Sequence, residues 1–149
     1  MPTQKDLDKT YLTMAKTWSQ LSKAKRKKVG CLIVKEGAII SDGYNGTPSG
    51  FNNNCENIVD LDLNHNCANN LKTKPEVIHA ESNAIAKLAK STQSSKGATM
   101  YVTISPCIEC SKLIIQSGIK RVVYYEKYRN LEGVNLLNKS GIKVFGFKI

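Results

Sequence analysis

The sequence predicts an α/β fold in three layers, α/β/α, with a five-stranded mixed sheet between the helices. Three observations predict it. Two apolar, strand-like runs flank Lys35-Glu36-Gly37, helical and strand patterns alternate from residue 79 to the end, and an amphipathic segment precedes both. The chain has 149 residues, 41% hydrophobic and 23% charged, which suits one domain over 1–149 around one core.

Leu7, Tyr11, Met14, Ala15, Trp18 and Leu21 recur at helical spacing, so the N-terminal segment is expected to be a helix with its aromatic residues in the core. Val29–Val34 and Ala38–Tyr44 then form a β-hairpin about a short Gly turn, with Cys31 a small buried hydrophobe in its first strand. From Asn45 to about Pro75 no period holds. That stretch is rich in Asn, Gly and Pro and reads as a long functional or mobile loop carrying Cys55, His65 and Cys67.

Regularity returns with a helix from about His79 to Lys90 and a strand over Thr99–Ile104. A second helix, from about Cys107 to Ser117, stops at Gly118. Strand Arg121–Tyr125, a helix near Leu131–Lys139 ending by Gly141, and strand Lys143–Phe147 complete the pattern. Such alternation implies right-handed crossovers between parallel neighbours.

Composition narrows the function. No apolar run approaches the roughly 20 residues of a membrane helix, and Met1-Pro2-Thr3-Gln4-Lys5-Asp6 is no signal peptide, so the chain reads as cytoplasmic. Five cysteines, two in Cys107-x-x-Cys110, fit metal binding better than a disulfide framework. The net charge of +10 gathers at Lys23, Lys25, Arg26, Lys27 and Lys28. This run is either an anion site or a solvated helix end. No aromatic residue interleaves with it, which favours a small phosphorylated substrate over a nucleic acid.

The chemistry is concentrated in Ile78-His79-Ala80-Glu81 and Ser105-Pro106-Cys107-Ile108-Glu109-Cys110. His79, Cys107 and Cys110 are three soft ligands, which leave a tetrahedral zinc one open position for a water. Glu81 is not needed as a ligand and stands where a proton shuttle would be useful. Each half opens an expected helix at the carboxyl end of a strand, where α/β sheets collect ligands and amide dipoles favour thiolates. His-x-Glu with Pro-Cys-x-x-Cys is the known signature of zinc nucleobase deaminases. The pattern predicts hydrolytic loss of an amino group as ammonia. A zinc-stabilised nucleic-acid-binding module is the competing reading, favoured by the charge and disfavoured by Glu81.

Beyond these motifs, the chain resembles the cytidine deaminase superfamily, and within it the deoxycytidylate (dCMP) deaminases of phage and bacterial type, over nearly its whole length. The resemblance is carried by Val29–Val34, Gly43-Tyr44-Asn45-Gly46-Thr47-Pro48-Ser49-Gly50, His79–Ile85, Lys96–Thr103, Ser105–Cys110 and Ser117–Tyr124. It implies the cytidine-deaminase-like fold, conversion of dCMP to dUMP for thymidylate synthesis, zinc on His79, Cys107 and Cys110, and Glu81 as proton shuttle. It further implies substrate contacts from Asn45, from Ser22 and Arg26 to the phosphate, and from Tyr128 over the base. Alternatives that keep the chemistry are dCTP deamination and action on tRNA or single-stranded DNA.

The resemblance also implies a homohexamer regulated by dCTP and dTTP. The Gly-rich backbone of Gly43–Gly50, with Gly43, Tyr44 and Gly46, is where an effector's phosphates are expected to be cradled, with Mg2+ accompanying a triphosphate. The family often carries a second zinc through a Cys at the position of Ala24. That residue is missing here, which leaves Cys55, His65 and Cys67 as a substitute set.

Overall fold

Glu36 and Gly37, with φ of 50° and 77°, turn strand β1 (Gly30–Lys35) back onto strand β2 (Ala38–Tyr44). Positive φ at both central residues matches the twist of the paired strands. The structure is a computed structural model and describes residues 1–58 and 71–148. Its described residues also form α1 (Gln4–Ser19), β3 (Glu56–Ile58), β4 (Leu71–Thr73), α2 (Ala80–Leu88) and β5 (Thr99–Ile104). After these come α3 (Ile108–Gln116), β6 (Arg121–Glu126), α4 (Glu132–Lys139) and β7 (Lys143–Gly146).

The expected five-stranded mixed sheet is present, in the order β2-β1-β5-β6-β7. Strands β5, β6 and β7 are parallel, whereas β1 is antiparallel to both β2 and β5. The rule of parallel neighbours thus holds for the last two crossovers and fails for the first. The reason is that β1 offers an open edge, so β5 pairs there and runs parallel to β2 with β1 between them.

Alternation along the strands divides the core. Cys31, Ile33, Met100, Val102, Val122 and Tyr124 face α2, α3 and α4, where Ala84, Leu88, Ile114 and Leu137 cover them. Leu32, Val34, Tyr101 and Val123 face Leu12 and Ala15 of α1. Helices therefore cover both faces of the sheet, as the fold class requires.

Two expectations need correction. Met14, Trp18 and Leu21 are exposed; the buried stripe of α1 is Asp8, Leu12, Ala15 and Ser19. The helical period is right but its phase is set by a buried polar residue. Asp8 accepts hydrogen bonds from Tyr101 Oη at 2.7 Å, Arg121 Nη1 at 2.8 Å and Gln4 Nε2 at 2.9 Å, which makes burial of a carboxylate tolerable. The stretch from Asn45 to Pro75 is also not wholly irregular. Strands β3 and β4 pair antiparallel, and Gly46 bridges Ile78 through hydrogen bonds of 3.1 and 2.8 Å. Strands three residues long leave no readable period.

Candidate active site

Strands β2 and β5, parallel with β1 between them, finish at the same end of the sheet. Helix α3 begins just beyond β5, as α2 does beyond Ile78, which pairs with Gly46 after β2. His79 is the N-cap of α2 and Cys107 the N-cap of α3, both with extended backbone, and neither side chain makes a capping hydrogen bond. N-cap positions usually hold Ser, Thr, Asp or Asn whose oxygen caps the helix. Here the side chains turn to each other instead. His79 Nδ1 lies 3.5 Å from Cys107 Sγ and 3.3 Å from Cys110 Sγ, and the three donor atoms lie within 4.8 Å of one another. A tetrahedral zinc with Zn–N near 2.0–2.1 Å and Zn–S near 2.3 Å calls for N···S edges of roughly 3.6 Å. The donor set and its spacing therefore fit zinc. Among the described residues, no other three His, Cys, Asp or Glu side chains gather in this way.

The charges are arranged by contact. The hydrogen bond from Cys110 does most to hold the Cys107 thiol below its ordinary range, with His79 adding to it against the cost of burial. Cys110 correspondingly keeps its proton, held by Cys107 and by burial. The hydrogen bond with Cys107 pushes His79 up. A metal cation would remove the shared protons and leave thiolates. Glu81, in the first turn of α2, is only 3% exposed, and burial raises its carboxyl although backbone and His79 oppose the shift.

His79, Glu81 and Cys107 line a cavity of about 230 Å³ together with Asn45, Arg26 and Tyr128. Asn45 Oδ1 accepts from Val29 N at 2.8 Å and its Nδ2 donates to Lys27 O at 2.8 Å, so one acceptor site and one N–H remain for a ligand. The backbone amide of Tyr128 donates to Ser105 Oγ at 2.6 Å, which fixes the approach of its half-buried ring. Ser22 does not line this cavity. The residue is 1% exposed, and its hydroxyl donates to Asn45 O at 2.8 Å and accepts from Ala24 N at 3.2 Å. In this structure the Ser22 hydroxyl thus bonds internally and supports the Asn45 loop.

The Gly43–Gly46 segment is likewise occupied. Gly43 lies within β2 opposite Cys31, and a Cβ there would stand 2.3 Å from Ala80 O. Tyr44 O accepts from Asn83 Nδ2 at 2.9 Å, and the amides of Asn45 and Gly46 donate to Val29 O and Ile78 O. These groups tie the segment to β1, α2 and Ile78. Of the substitute zinc set, Cys55 is buried with its thiol 3.4 Å from Asn53 O, while His65 and Cys67 lie outside the described residues.

Sequence reasoning missed Glu56 and Thr73, which also line the cavity. Their sole signal is a lone acid in Asn54-Cys55-Glu56-Asn57 and a Thr among lysines, which a solvated loop would explain equally well.

Comparison with known proteins agrees with this geometry. The family described as the cytidine and deoxycytidylate deaminase zinc-binding region matches residues 5–126. The deoxycytidylate deaminase of Enterobacteria phage T4 is 39% identical over 91% of this chain and 87% of its own length. That of Homo sapiens is 39% identical over 89% of this chain and 74% of its own. The crystal structure of dCMP deaminase from the cyanophage S-TIM5 in complex with dCMP and dUMP superposes with a TM-score of 0.85 at 39% identity, covering 98% of this chain and 100% of that one. The donor set, the buried glutamate and these matches lead to one conclusion: the chain belongs to the zinc-dependent cytidine and deoxycytidylate deaminase family.

Proposed function

We propose that this protein hydrolyses dCMP to dUMP and ammonia. The observation that carries the reading is that one cavity is lined by His79 and Cys107, by the buried Glu81 and by Arg26. That is the equipment for a metal-assisted deamination of a cytosine nucleotide.

In this reading His79, Cys107 and Cys110 hold zinc, which when bound supplies the Lewis acidity that makes a water nucleophilic near neutral pH. Glu81 accepts a proton from the attacking water and returns it to the departing amino group, as the C–O bond forms and the C–N bond breaks. Burial suits the residue to this exchange, because a raised carboxyl pKa narrows the gap to its proton partners. Asn45 offers a donor and an acceptor to the sugar or base, Tyr128 closes over the ring, and Arg26 grips the phosphate.

The experiment is ultraviolet-monitored turnover of dCMP, dCTP and deoxycytidine by zinc-replete protein, with Glu81→Ala as control. Turnover of dCMP that the substitution abolishes establishes the reaction. No turnover of any of the three by zinc-loaded protein overturns it in favour of a polymeric substrate or a non-catalytic zinc module.

The proposal extends to the whole chain as one deaminase domain, to a homohexamer in the cytoplasm (that of the host if phage-encoded), and to control by dCTP and dTTP with Mg2+. These rest on the resemblance to the family. Gel filtration with light scattering, and dCMP saturation curves with each triphosphate, test them; hyperbolic curves unmoved by either nucleotide end the regulatory part. A second zinc on Cys55, His65 and Cys67 is tested by metal content, since Cys55→Ser lowers it by one zinc per chain or the site does not exist.

A further inference from the structure

Glu56 opens β3 and is 4% exposed, yet it meets no guanidinium or ammonium partner among the described residues. Its carboxylate is held by backbone. Oε2 accepts from Lys25 N at 3.0 Å and Arg26 N at 3.1 Å, and Oε1 accepts from Lys25 N at 3.1 Å. Consecutive amides that converge in this way form an anion nest. Here the anion is a side chain of the same molecule.

The strand pairing adds the second half. Glu56 stands opposite Thr73 in the β3–β4 ladder, and Thr73 Oγ1 accepts from Arg26 Nη1 at 3.3 Å. One cross-strand pair thus holds Arg26 at both ends: Glu56 fixes its backbone and Thr73 its guanidinium. Lys27, the neighbouring cation on the cavity wall, is engaged with Glu126 at 2.6 Å. Among the described residues Arg26 makes no such ion pair.

We propose that Glu56 and Thr73 are positioning residues for phosphate recognition, holding Arg26 ready for the 5′-phosphate of the substrate. The inference rests on the dCMP reading above. It has an unusual sign. A carboxylate beside a phosphate site repels the phosphate by charge alone, so its removal should tighten binding if charge were its only effect. If Glu56 organises Arg26, its removal weakens binding instead.

The test uses the zinc-loaded full chain and the variants Glu56→Gln, Thr73→Val and Arg26→Ala. Steady-state kinetics are taken on dCMP and deoxycytidine, and dUMP affinity by calorimetry, with thermal unfolding as a fold control. Glu56→Gln is expected to raise KM for dCMP and weaken dUMP binding about tenfold, the loss of one charge-assisted hydrogen-bonded arrangement. Its kcat, and kcat/KM for deoxycytidine, stay near wild type. Thr73→Val moves the same quantities in the same direction by a smaller factor and stands in if Glu56→Gln does not fold. In the Arg26→Ala background neither substitution adds further loss. Tighter or unchanged dUMP binding in Glu56→Gln, equal losses on dCMP and deoxycytidine, or losses that multiply with Arg26→Ala overturn the proposal. Wild-type protein that binds dUMP without deaminating dCMP sinks the assigned reaction instead, and the dUMP affinities still decide the role of Glu56.

Discussion

Two carboxylates are buried on opposite faces of the same sheet, and their behaviour is opposite. Glu81, on the α2 face, is pushed up by burial. Asp8, on the α1 face, feels burial as its largest influence too, but hydrogen bonds from Arg121, Tyr101 and Gln4 together bring it below the ordinary carboxyl range. Burial sets the cost of the charge, and the donors around it set the sign of the outcome. In the proposed reaction the first group is the one that exchanges a proton. The other is made an anchor between helix and sheet. Tyr101 shows the same anchor from the other side, since burial and the neighbouring Asp8 raise its hydroxyl pKa and keep it a donor.

The sharpest way to break this contrast is to neutralise each carboxylate. Glu81→Gln should lower kcat on dCMP by about 10³-fold, within the usual range for a lost acid–base group, while zinc content and melting temperature hold. A large loss of stability with modest loss of rate would move Glu81 into the class of Asp8. Next in size is the metal. Cys110→Ser should weaken zinc retention in a competition with a chromogenic chelator by more than about tenfold, with turnover falling in parallel. Undiminished zinc at full stoichiometry would show that the ligand set lies elsewhere.

On the anchor side, Arg121→Met leaves Asp8 buried beside one fewer cation. It should cost about 2–3 kcal/mol of stability, a Tm drop of roughly 5–10 °C in a chain of this size, and leave kcat at low temperature unchanged. The smallest effect is on pH. Because the Asp8 carboxyl is lowered from 3.8 in the fold, its stabilisation is complete above that value and is lost as pH falls through the folded one. The stability gap between wild type and Asp8→Asn, read by urea unfolding, should stay level from neutral pH to about 5 and close below about 4. A gap that widens in acid would reverse the assignment.

The legibility of these regions differs for the same physical reason. The cluster of His79, Cys107 and Cys110 and the nearby Glu81 are legible in the sequence because each motif sits within a few residues of a helix start, so local spacing carries the geometry. Strands β1, β2, β5 and β6 were readable to within a residue or so because their apolar runs are long enough to show a pattern. The Asp8 anchor was not, since its partners Tyr101 and Arg121 lie more than ninety positions away and nothing local marks them. The Glu56–Thr73 pair escaped for a related reason: its strands are three residues long and its hydrogen bonds go to backbone of the basic run. The internal hydrogen bond of Ser22 to Asn45 O is equally invisible in the sequence, because a hydroxyl that donates to a carbonyl looks the same there as one that meets a phosphate.

Gly30 and Gly43 occupy adjacent rungs of the β1–β2 ladder but face opposite sides. A Cβ at Gly30 would stand 2.0 Å from Ala15 O of α1, and one at Gly43 would stand 2.3 Å from Ala80 O of α2. Both helices therefore rest on the hairpin backbone to backbone, with no side chain interposed. Rotamer changes, which loosen most helix–sheet contacts as temperature rises, have nothing to act on at these two points. The spacing of α1, sheet and α2 is fixed there like a stack of plates without washers, so warming should disturb the loops around the cavity well before it shifts the helix that carries Glu81.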